Sequence, residues 1–588
     1  MNDIVRFFKK DQYKNLFFLA WAVLGILQAC FTELMDDEAY YWVYSQHLDW
    51  GYFDHPPMIA VLIKIGYSLF HNELGVRLMM VLLNVGTLVL LDKLIPTKNN
   101  KVLYLILGAM GAMQLGGMLA VPDLPLIFFA TLYFYAYKKF LSSQDWKHTI
   151  FLAITMALMF YSKYHGVLLV FFTLVSNFSL LKVRQYYMAV LITTLLFLPH
   201  IYWQYAHHFP SLQYHLVERN ASAYKLNFSL DYIAGQVLMF GPLVGWLLLY
   251  YGFRCPIQNA FERAMKFSLI GVLVFFLIST FKGRVEANWT VMVFTPLVVL
   301  AHQAIVRLNY SLKPLLYTLP VTLLLVIIVR VYMMWDFVPN LRVRPELHHN
   351  HEWTSAIKKV AGDKPVVFFN TYQSPSKYMF YTGEKAYSLN SVYSRRSQYN
   401  YWHMEEDDLW GKDVLMASRN IYDFMVRDSI MGPGETIFDR PVVLKTIDHK
   451  PDSIPSQEKG KYWYVKHQNP YYSYSLIQFD SNTKEFYGQQ NEIVNMRAKV
   501  LNGYKKPVQY DPNDTVYVAF SFADRTGRPV NLKTTITLQE ALTKDSIDIP
   551  LRFPHVIGRY KVKMTLLPKH ADMPPTHNSQ YFYFNVIQ

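Results

Sequence analysis

Acidic side chains crowd a short stretch that directly follows the first long apolar segment of the chain. From Met35 to Pro57 the sequence contains five acidic residues, two histidines and seven aromatic residues. Carboxylates beside a membrane are costly to keep there, so they usually serve a function. Asp37 and Glu38 could act as general bases that remove a proton from a hydroxyl or an amine. The alternative is an acidic loop that only caps the next helix.

Three aromatic residues, Tyr40, Tyr41 and Trp42, come almost directly after the acidic pair. Aromatic side chains at this depth can form a belt at the membrane interface. They also suit stacking against sugar rings. We therefore expect these three residues to contact a substrate.

Two further acidic motifs are flanked by prolines. Asp54 and His55 precede a pair of prolines, and a carboxylate beside an imidazole can bind a divalent metal or a phosphate. Asp123 lies near a proline on either side, at the mouth of two apolar segments. It is either the N-cap of the next helix or a site residue, and a cap can also be a site residue.

The elements that must position these residues are membrane-spanning helices. Hydrophobic residues make up 52% of the 588 residues and charged residues only 17%, which is below the quarter that is usual for soluble domains. Apolar runs of spanning length predict about eleven spans. Their approximate limits are 15–32, 75–95, 102–120, 124–140, 148–162, 166–181, 186–203, 230–252, 266–281, 289–307 and 314–335.

The charges of the connecting loops orient these spans. With a cytoplasmic N-terminus, the inside segments carry about seventeen Lys and Arg and the outside loops about six, which is the asymmetry that the positive-inside rule requires. Membrane topology therefore explains the net charge of +14 better than nucleic-acid binding does. Cys30 and Cys255 fall on opposite faces, so they should not pair. The segment 56–70 is expected to be a helix lying along the interface.

This topology collects the chemically interesting residues on the external face. Lys163, Lys282 and Arg284 bring positive charge to that face, which favours an anionic ligand such as a lipid phosphate. The alternative for each is an anchor that snorkels to the interface. His207 and His208 are expected to lie in a solvated loop.

The region after residue 336 should be external and soluble. Residues 366–369 have the pattern of a buried strand, and residues 493–500, 515–520 and 560–564 alternate apolar and polar. We predict a transmembrane domain at 1–336, a mixed α/β domain at 337–485 and a β-sandwich at 486–588.

Familiar nucleotide and zinc motifs do not occur in the sequence. It contains no phosphate-binding loop, no dinucleotide fingerprint after a strand, no zinc-binding Cys/His spacing and no Gly-x-Ser-x-Gly turn. Nucleotides are cytoplasmic, so an enzyme on the external face would need an activated donor that is already in the membrane.

The motifs together resemble the GT-C membrane glycosyltransferases, in particular the superfamily of protein O-mannosyltransferases and bacterial aminoarabinose (lipid A) transferases. The residues that carry the resemblance are 37–42, 51–58, 122–125, 161–164 and 286–289. The resemblance implies a multi-pass protein of the bacterial inner membrane. It also implies inverting transfer of a sugar from a polyprenyl-phosphate donor to lipid A, another glycan or a protein on the external face.

The resemblance also assigns roles to single residues. The characteristic Asp after the first span falls on Asp37, the expected general base or acceptor-orienting group, with Glu38 beside it. The second acidic site falls on Asp123. The Arg expected three residues after the first Asp is Tyr40 here, which departs from the family pattern.

The donor phosphate and a metal are the remaining implied ligands. His55 replaces a Lys that would hold the donor phosphate, and it is expected to bind the phosphate together with Lys163, Lys282 and Arg284. A metal-binding His of a later outside loop matches His215, and Asp54 would be its partner, which implies a divalent metal ion. Asn288 is expected to bind substrate.

Two other classes of function are open at this point. A transporter or flippase of lipid-linked saccharides should place charged residues near the middle of the bilayer, in helices broken by Gly or Pro, whereas the charges here fall in outside loops. A non-catalytic assembly or sensor protein gives no reason for the acidic external cluster.

Overall fold

The fold consists of two compact units, which we call the membrane unit (Met1–His348) and the C-terminal unit (His349–Gln588). The computed structural model describes residues 12–215, 224–338, 345–390, 394–402, 404–409, 412–420, 425–430, 443–446, 452–456, 460–466, 476–502, 505–508, 515–523, 529–553, 557–568 and 578–588. Residues 1–11, which the topology assigns to the inside, lie outside these ranges. The domain limits at residues 336 and 485 stay predictions.

The membrane unit is built from α-helices. They are α1 Gln12–Phe31, α2 Asp36–Gln46, α3 Met58–Tyr67, α4 Glu73–Leu94, α5 Asn100–Ala109, α6 Gly111–Gly116, α7 Asp123–Ser142, α8 Trp146–Ser162, α9 Val167–Ser176, α10 Arg184–Ala206, α11 Pro210–Gln213, α12 Leu226–Phe240, α13 Gly245–Arg254, α14 Ala260–Ser279, α15 Phe294–Arg307 and α16 Lys313–Met334. Within the described residues of this unit, 3₁₀ turns occur at Tyr164–Gly166, Phe178–Lys182, Ala287–Val293 and Pro345–Leu347.

Several of these helices are long and apolar enough to cross a membrane. Among the described residues they are α1, α4, α10, α16 and the 3₁₀ turn that continues into α15. The bent pair of α12 and α13 is one further span if its two halves are counted together. The chain is thus a multi-pass membrane protein, and the total of about eleven spans stays a prediction.

The helices break inside two of the predicted spans. The span predicted at 230–252 turns by 90° between α12 and α13. Gly241 lies at this turn with φ of +137°, a conformation that only glycine adopts without strain. The span predicted at 102–120 is interrupted at Met110, which separates α5 from α6.

Burial differs sharply between the spans. In the segment 287–307 that contains α15, 83% of the apolar window is buried, whereas in α1 and α16 only 17% is buried. A helix that is apolar on all sides and buried must be surrounded by other helices, and an apolar exposed helix must face lipid. Helix α15 is therefore at the centre of the bundle, and α1 and α16 are at its lipid-facing surface.

In the part that the structure describes, the C-terminal unit combines short helices with three sheets. Its helices are α17 Asn350–Ala361, α18 Gln373–Thr382, α19 Tyr399–Trp402, α20 Met404–Asp408 and α21 Leu538–Leu542. Its strands are β1 Val366–Phe369, β2 Ala386–Leu389, β3 Leu415–Ser418, β4 Met425–Ile430, β5 Val443–Thr446, β6 Asp452–Ser456, β7 Gly460–Lys466, β8 Ile477–Asp480, β9 Glu485–Gln489, β10 Ile493–Asn502, β11 Val516–Ala523, β12 Pro529–Thr537, β13 Ser546–Arg552, β14 Gly558–Pro568 and β15 Phe582–Ile587.

The first sheet has the order β2-β1-β3-β7-β6, with β1 parallel to β2 and β3. The second has the order β13-β10-β8 and the third β5-β4-β12-β11-β14-β15-β9. Apolar residues from the second and third sheets form one shared core, including Met496, Phe520 and Phe584. The predicted mixed α/β region and β-sandwich are both confirmed, because period-two strands bury one face each against the facing sheet.

Candidate active site

The predicted site residues gather at one end of the membrane unit, which we call the site end. Hydrogen bonds join the segments that meet there: the end of α1, α2, the loops before α3 and α7, the start of α4, the turn after α8 and the 3₁₀ turn before α15. Two other ion pairs lie at the opposite ends of α4, α14 and α15. They join Arg307 to Glu262 and Lys98 to Asp92.

A buried ion pair between Glu38 and Arg77 anchors the site end. Both side chains are fully buried. The guanidinium donates from Nε to Glu38 Oε1 at 2.7 Å and from Nη2 to Oε2 at 2.5 Å. It also donates to main-chain carbonyls at the end of α1, including that of Thr32. Such a two-point pair fixes distance and direction together.

Glu38 also binds the main chain of two other segments. Its Oε1 accepts from the amide of Ala120 at 2.8 Å, and its Oε2 accepts from the amide of Met35 at 2.9 Å. The pair with Arg77 therefore ties α2 and α4 to the segment just before Asp123. Each Glu38 oxygen already accepts two bonds, so its contacts favour a positioning role rather than the predicted role of base.

Asp37 differs from its neighbour in exposure. It lies in the first turn of α2 and is exposed, whereas Asp36 and Glu38 on either side are buried. Adjacent helical residues point about 100° apart, so one carboxylate can face inward while the next faces solvent. Asp37 is the member of the acidic pair that an incoming substrate can reach.

Asp54 and His55 are held in the loop that leads to α3. Asp54 is buried, and the hydroxyl of Tyr44 donates to its Oδ1 at 2.8 Å. Burial and the nearby Asp54 raise the pKa of Tyr44 well above its ordinary value, so this hydroxyl keeps its proton. Burial lowers the pKa of His55 to about 4, so its imidazole is neutral at pH 7.

The charges that act on His55 reveal which predicted residues come together. They belong to Asp54, Lys163, His215 and Asp123, which approach from four separate segments. Among the described residues, the buried Nδ1 of His55 has no hydrogen-bond partner. Its hydrogen-bonding capacity is therefore unused within the described part of the chain.

Asp123, Lys163 and Asn288 form a second polar group at the site end. Lys163 Nζ donates to Asp123 Oδ1 at 2.7 Å, and Asn288 Nδ2 donates to Asp123 Oδ2 at 3.1 Å. The ion pair is largely buried, with 6% of Lys163 and 15% of Asp123 exposed. Asp123 is also the first residue of α7, where a carboxylate is favoured by the helix dipole.

The structure gives limited support for the predicted metal. His215 Nε2 bonds the main-chain carbonyl of Asp54 at 3.1 Å, and the Asp54 carboxylate accepts from Tyr44. Within the part of the chain that the structure describes, no three His, Cys, Asp or Glu side chains are placed to hold a metal ion. These residues do not fit a preformed divalent-metal site, and the metal stays a prediction.

The three aromatic residues of α2 are core residues in this structure. Tyr40, Tyr41 and Trp42 are at most 9% exposed. The Tyr41 ring lies 5.6 Å from that of His55, and the Trp42 ring lies 5.7 Å from that of Tyr67. Both ring pairs meet edge to face, and burial leaves little of the three side chains exposed, so their expected contact with a substrate stays a prediction.

Lys282 and Arg284 are exposed side chains beyond the end of α14. Arg284 is 66% exposed, and its Nε lies 3.9 Å from Glu286 Oε1. An exposed pair at this distance contributes little to stability. Both cations remain accessible to an anionic ligand, but no described contact joins them to Asp123 or Lys163.

Sequence reasoning missed Arg77 and Tyr44. Arg77 looks like an ordinary polar residue in the first turns of an apolar helix. A signal was present, because an arginine inside a spanning helix usually faces the protein interior and has a partner. A signal was also present for Tyr44, because a buried tyrosine hydroxyl needs a hydrogen-bond partner.

Comparisons of sequence identify related membrane enzymes. The family described as dolichyl-phosphate-mannose-protein mannosyltransferase matches residues 54–203. The lipid A galacturonosyltransferase RgtD of Rhizobium johnstonii is 24% identical over 301 residues, which is 48% of this chain. The match covers 63% of that relative, so this chain spans less than two thirds of its length.

Comparison of structures identifies the fold. The crystal structures of ArnT from Cupriavidus metallidurans, without ligand and bound to undecaprenyl phosphate, align with TM-scores of 0.50 and 0.51. Each covers 68% of this chain and 92% of ArnT at 14% identity. The predicted GT-C fold and the predicted resemblance to GT-C glycosyltransferases are confirmed. None of these matches supports the flippase alternative.

Proposed function

We propose that this chain is an integral-membrane glycosyltransferase that uses a polyprenyl-phosphate-linked sugar. The donor sugar passes, with inversion, to an acceptor on the external face of a bacterial inner membrane. The acceptor is lipid A, another glycan or a protein. The observation that carries the proposal is the convergence of three segments at one end of the membrane unit, which carry Asp54 and His55, Asp123, and Lys163.

Lys163 is the proposed ligand of the donor phosphate. An ammonium group has three N–H donors, and the bond to Asp123 uses one of them. Its burial strengthens attraction to an anion relative to the same charge in water. His55 is neutral and adds a hydrogen bond rather than a second positive charge. Lys282 and Arg284, which are exposed, are proposed to attract the phosphate as it approaches.

Asp37 is the proposed general base. The acceptor hydroxyl or amine attacks the anomeric carbon as Asp37 takes its proton. The bond from that carbon to the phosphate oxygen breaks, and the polyprenyl phosphate leaves with the electron pair. Base assistance of this kind contributes about 10²- to 10⁴-fold to the rate. Asp123 is proposed to position Lys163. Through its bond from Asn288, it is also proposed to position the 3₁₀ turn that precedes α15.

The proposed orientation follows from the charge of the loops. The two ends of the bundle differ, because the end opposite the site end holds most of the basic loops. The positive-inside rule then puts the opposite end in the cytoplasm and the C-terminal unit outside. Labelling of a cysteine introduced at exposed Asn420 of the C-terminal unit, in intact cells, tests this orientation.

Transfer by purified protein in lipid vesicles tests the proposed function. A panel of polyprenyl-phosphate sugars is offered with a membrane extract as acceptor, and wild type is compared with Asp123→Asn. The matched control is Asp145→Asn. Asp145 caps the start of α8, away from the site end, and asparagine can keep that cap. We expect transfer by wild type and by the control, and a loss of at least tenfold in Asp123→Asn. Failure of wild type to use any donor, or equal rates in all three, would contradict the proposal.

A further inference from the structure

One set of buried contacts at the site end has no part in the proposed chemistry. It lies on the last two turns of α10 and its C-cap, where His200, Trp203, Gln204 and the half-buried His207 share one face at helical spacing. His207 was expected in a solvated loop, but its ring stacks on that of Trp203, with centroids 4.2 Å apart. We call these four residues the α10 brace.

The brace binds the loop that carries Asp54 and His55. His200 Nδ1 bonds the main-chain carbonyl of Trp50 at 2.7 Å. Trp203 Nε1 donates to Asp49 Oδ2 at 2.6 Å. Gly51 lies directly against the indole, and a Cβ added there would be 2.5 Å from Trp203 Cε3. The loop therefore meets α10 along several consecutive residues.

The brace also binds the segment that carries Lys163. Gln204 Nε2 donates to the hydroxyl of Tyr164 at 3.0 Å and to Ser211 Oγ at 2.7 Å. Ser211 Oγ in turn donates to the main-chain carbonyl of Tyr52 at 3.1 Å. His200 Nε2 lies 3.0 Å from the Tyr164 hydroxyl, so His200 contacts both segments.

We propose that the α10 brace is a positioning device that sets the loop of Asp54 and His55 relative to Lys163. This inference rests on the proposed function. The loop between α2 and α3 has little regular structure of its own, so outside contacts must determine where its side chains point. Misplacement of a catalytic group by about 1 Å can cost about 10²-fold in rate. The brace would therefore control the rate without touching the substrate.

Gly51→Ala tests the inference because it pushes the loop away from Trp203. Two readouts are measured: amide hydrogen exchange of residues 47–55, and kcat with the KM for donor. We expect faster exchange in this segment and a fall in kcat of about 10- to 100-fold, with a smaller change in KM. The double variant Gly51→Ala/Trp203→Leu makes room for the added methyl group and should recover part of both readouts.

The matched control is Gly271→Ala, in which the added Cβ overlaps the ring of Phe172 within the bundle. We expect it to leave exchange at 47–55 and kcat close to wild type. Equal effects of the two alanine variants, or unchanged exchange and kcat in Gly51→Ala, overturn the inference. Because exchange does not depend on turnover, an inactive wild type would contradict the proposed function while the brace is still tested.

Discussion

Loss of the guanidinium of Arg77 should be among the most damaging single changes in the membrane unit. Arg77→Met leaves the Glu38 carboxylate buried with two main-chain amides but without its countercharge. It also removes the donor to the carbonyls at the end of α1, including those of Ala29 and Thr32. Breaking one partner of a buried ion pair costs about 3–5 kcal/mol. That is a large part of the roughly 5–15 kcal/mol by which proteins are stable.

Unfolding in mixed detergent micelles measures this cost as a change in free energy of unfolding. The matched control is Lys98→Gln, because Lys98 is 55% exposed in its 3.4 Å pair with Asp92, and such a pair contributes about 0–1 kcal/mol. The double variant Glu38→Gln/Arg77→Met removes both charges and should be less damaged than the sum of the single variants. A cost for Arg77→Met as small as that of Lys98→Gln would refute the reasoning.

Three further predictions concern the neighbouring residues. Lys163→Met should weaken donor binding about 10- to 100-fold, since a charged hydrogen bond contributes about 1.5–3 kcal/mol; an unchanged Kd in calorimetry contradicts this. Tyr44→Phe removes the hydroxyl that donates to Asp54 and should lower kcat several-fold with the ring packing kept; a wild-type kcat contradicts it. The folded pKa of His55, about 4, lies below the ordinary value of about 6.5. The unfolded chain therefore binds more protons between these values, and stability falls as pH is lowered through that window. The unfolding temperatures at pH 4.5 and pH 7.5 should differ less in His55→Gln than in wild type. An equal difference in the two proteins would contradict this prediction.

The helices were predictable where an apolar run of spanning length began at a residue that is typical of a helix start. The spans expected at 75–95 and 124–140 correspond to α4 Glu73–Leu94 and α7 Asp123–Ser142. The run at 230–252 is also apolar over a spanning length, yet it bends near Gly241. Hydropathy averages over the whole run, so it does not detect a turn in the middle of it.

The sequence predicted which residues belong to the site better than it predicted which of them bond to one another. Asp37 and Glu38 are chemically similar, and only the position of Arg77 on α4 decides that Glu38 is the buried one. Lys163 and Asp123 are 40 residues apart in sequence, and the packing of α7 on α8 brings them together. Sequence alone identifies the residue types, but the tertiary contacts decide which of them bond.

The central claim is that Asp37 is the base of a sugar transfer, and Asp37→Asn tests it most directly. The change keeps the size of the exposed side chain and removes its basicity. We predict that transfer falls at least about 10²-fold, the lower range for loss of a general base, while donor Kd and thermal stability stay at wild-type values. Transfer within twofold of wild type, with donor binding kept, would contradict the account.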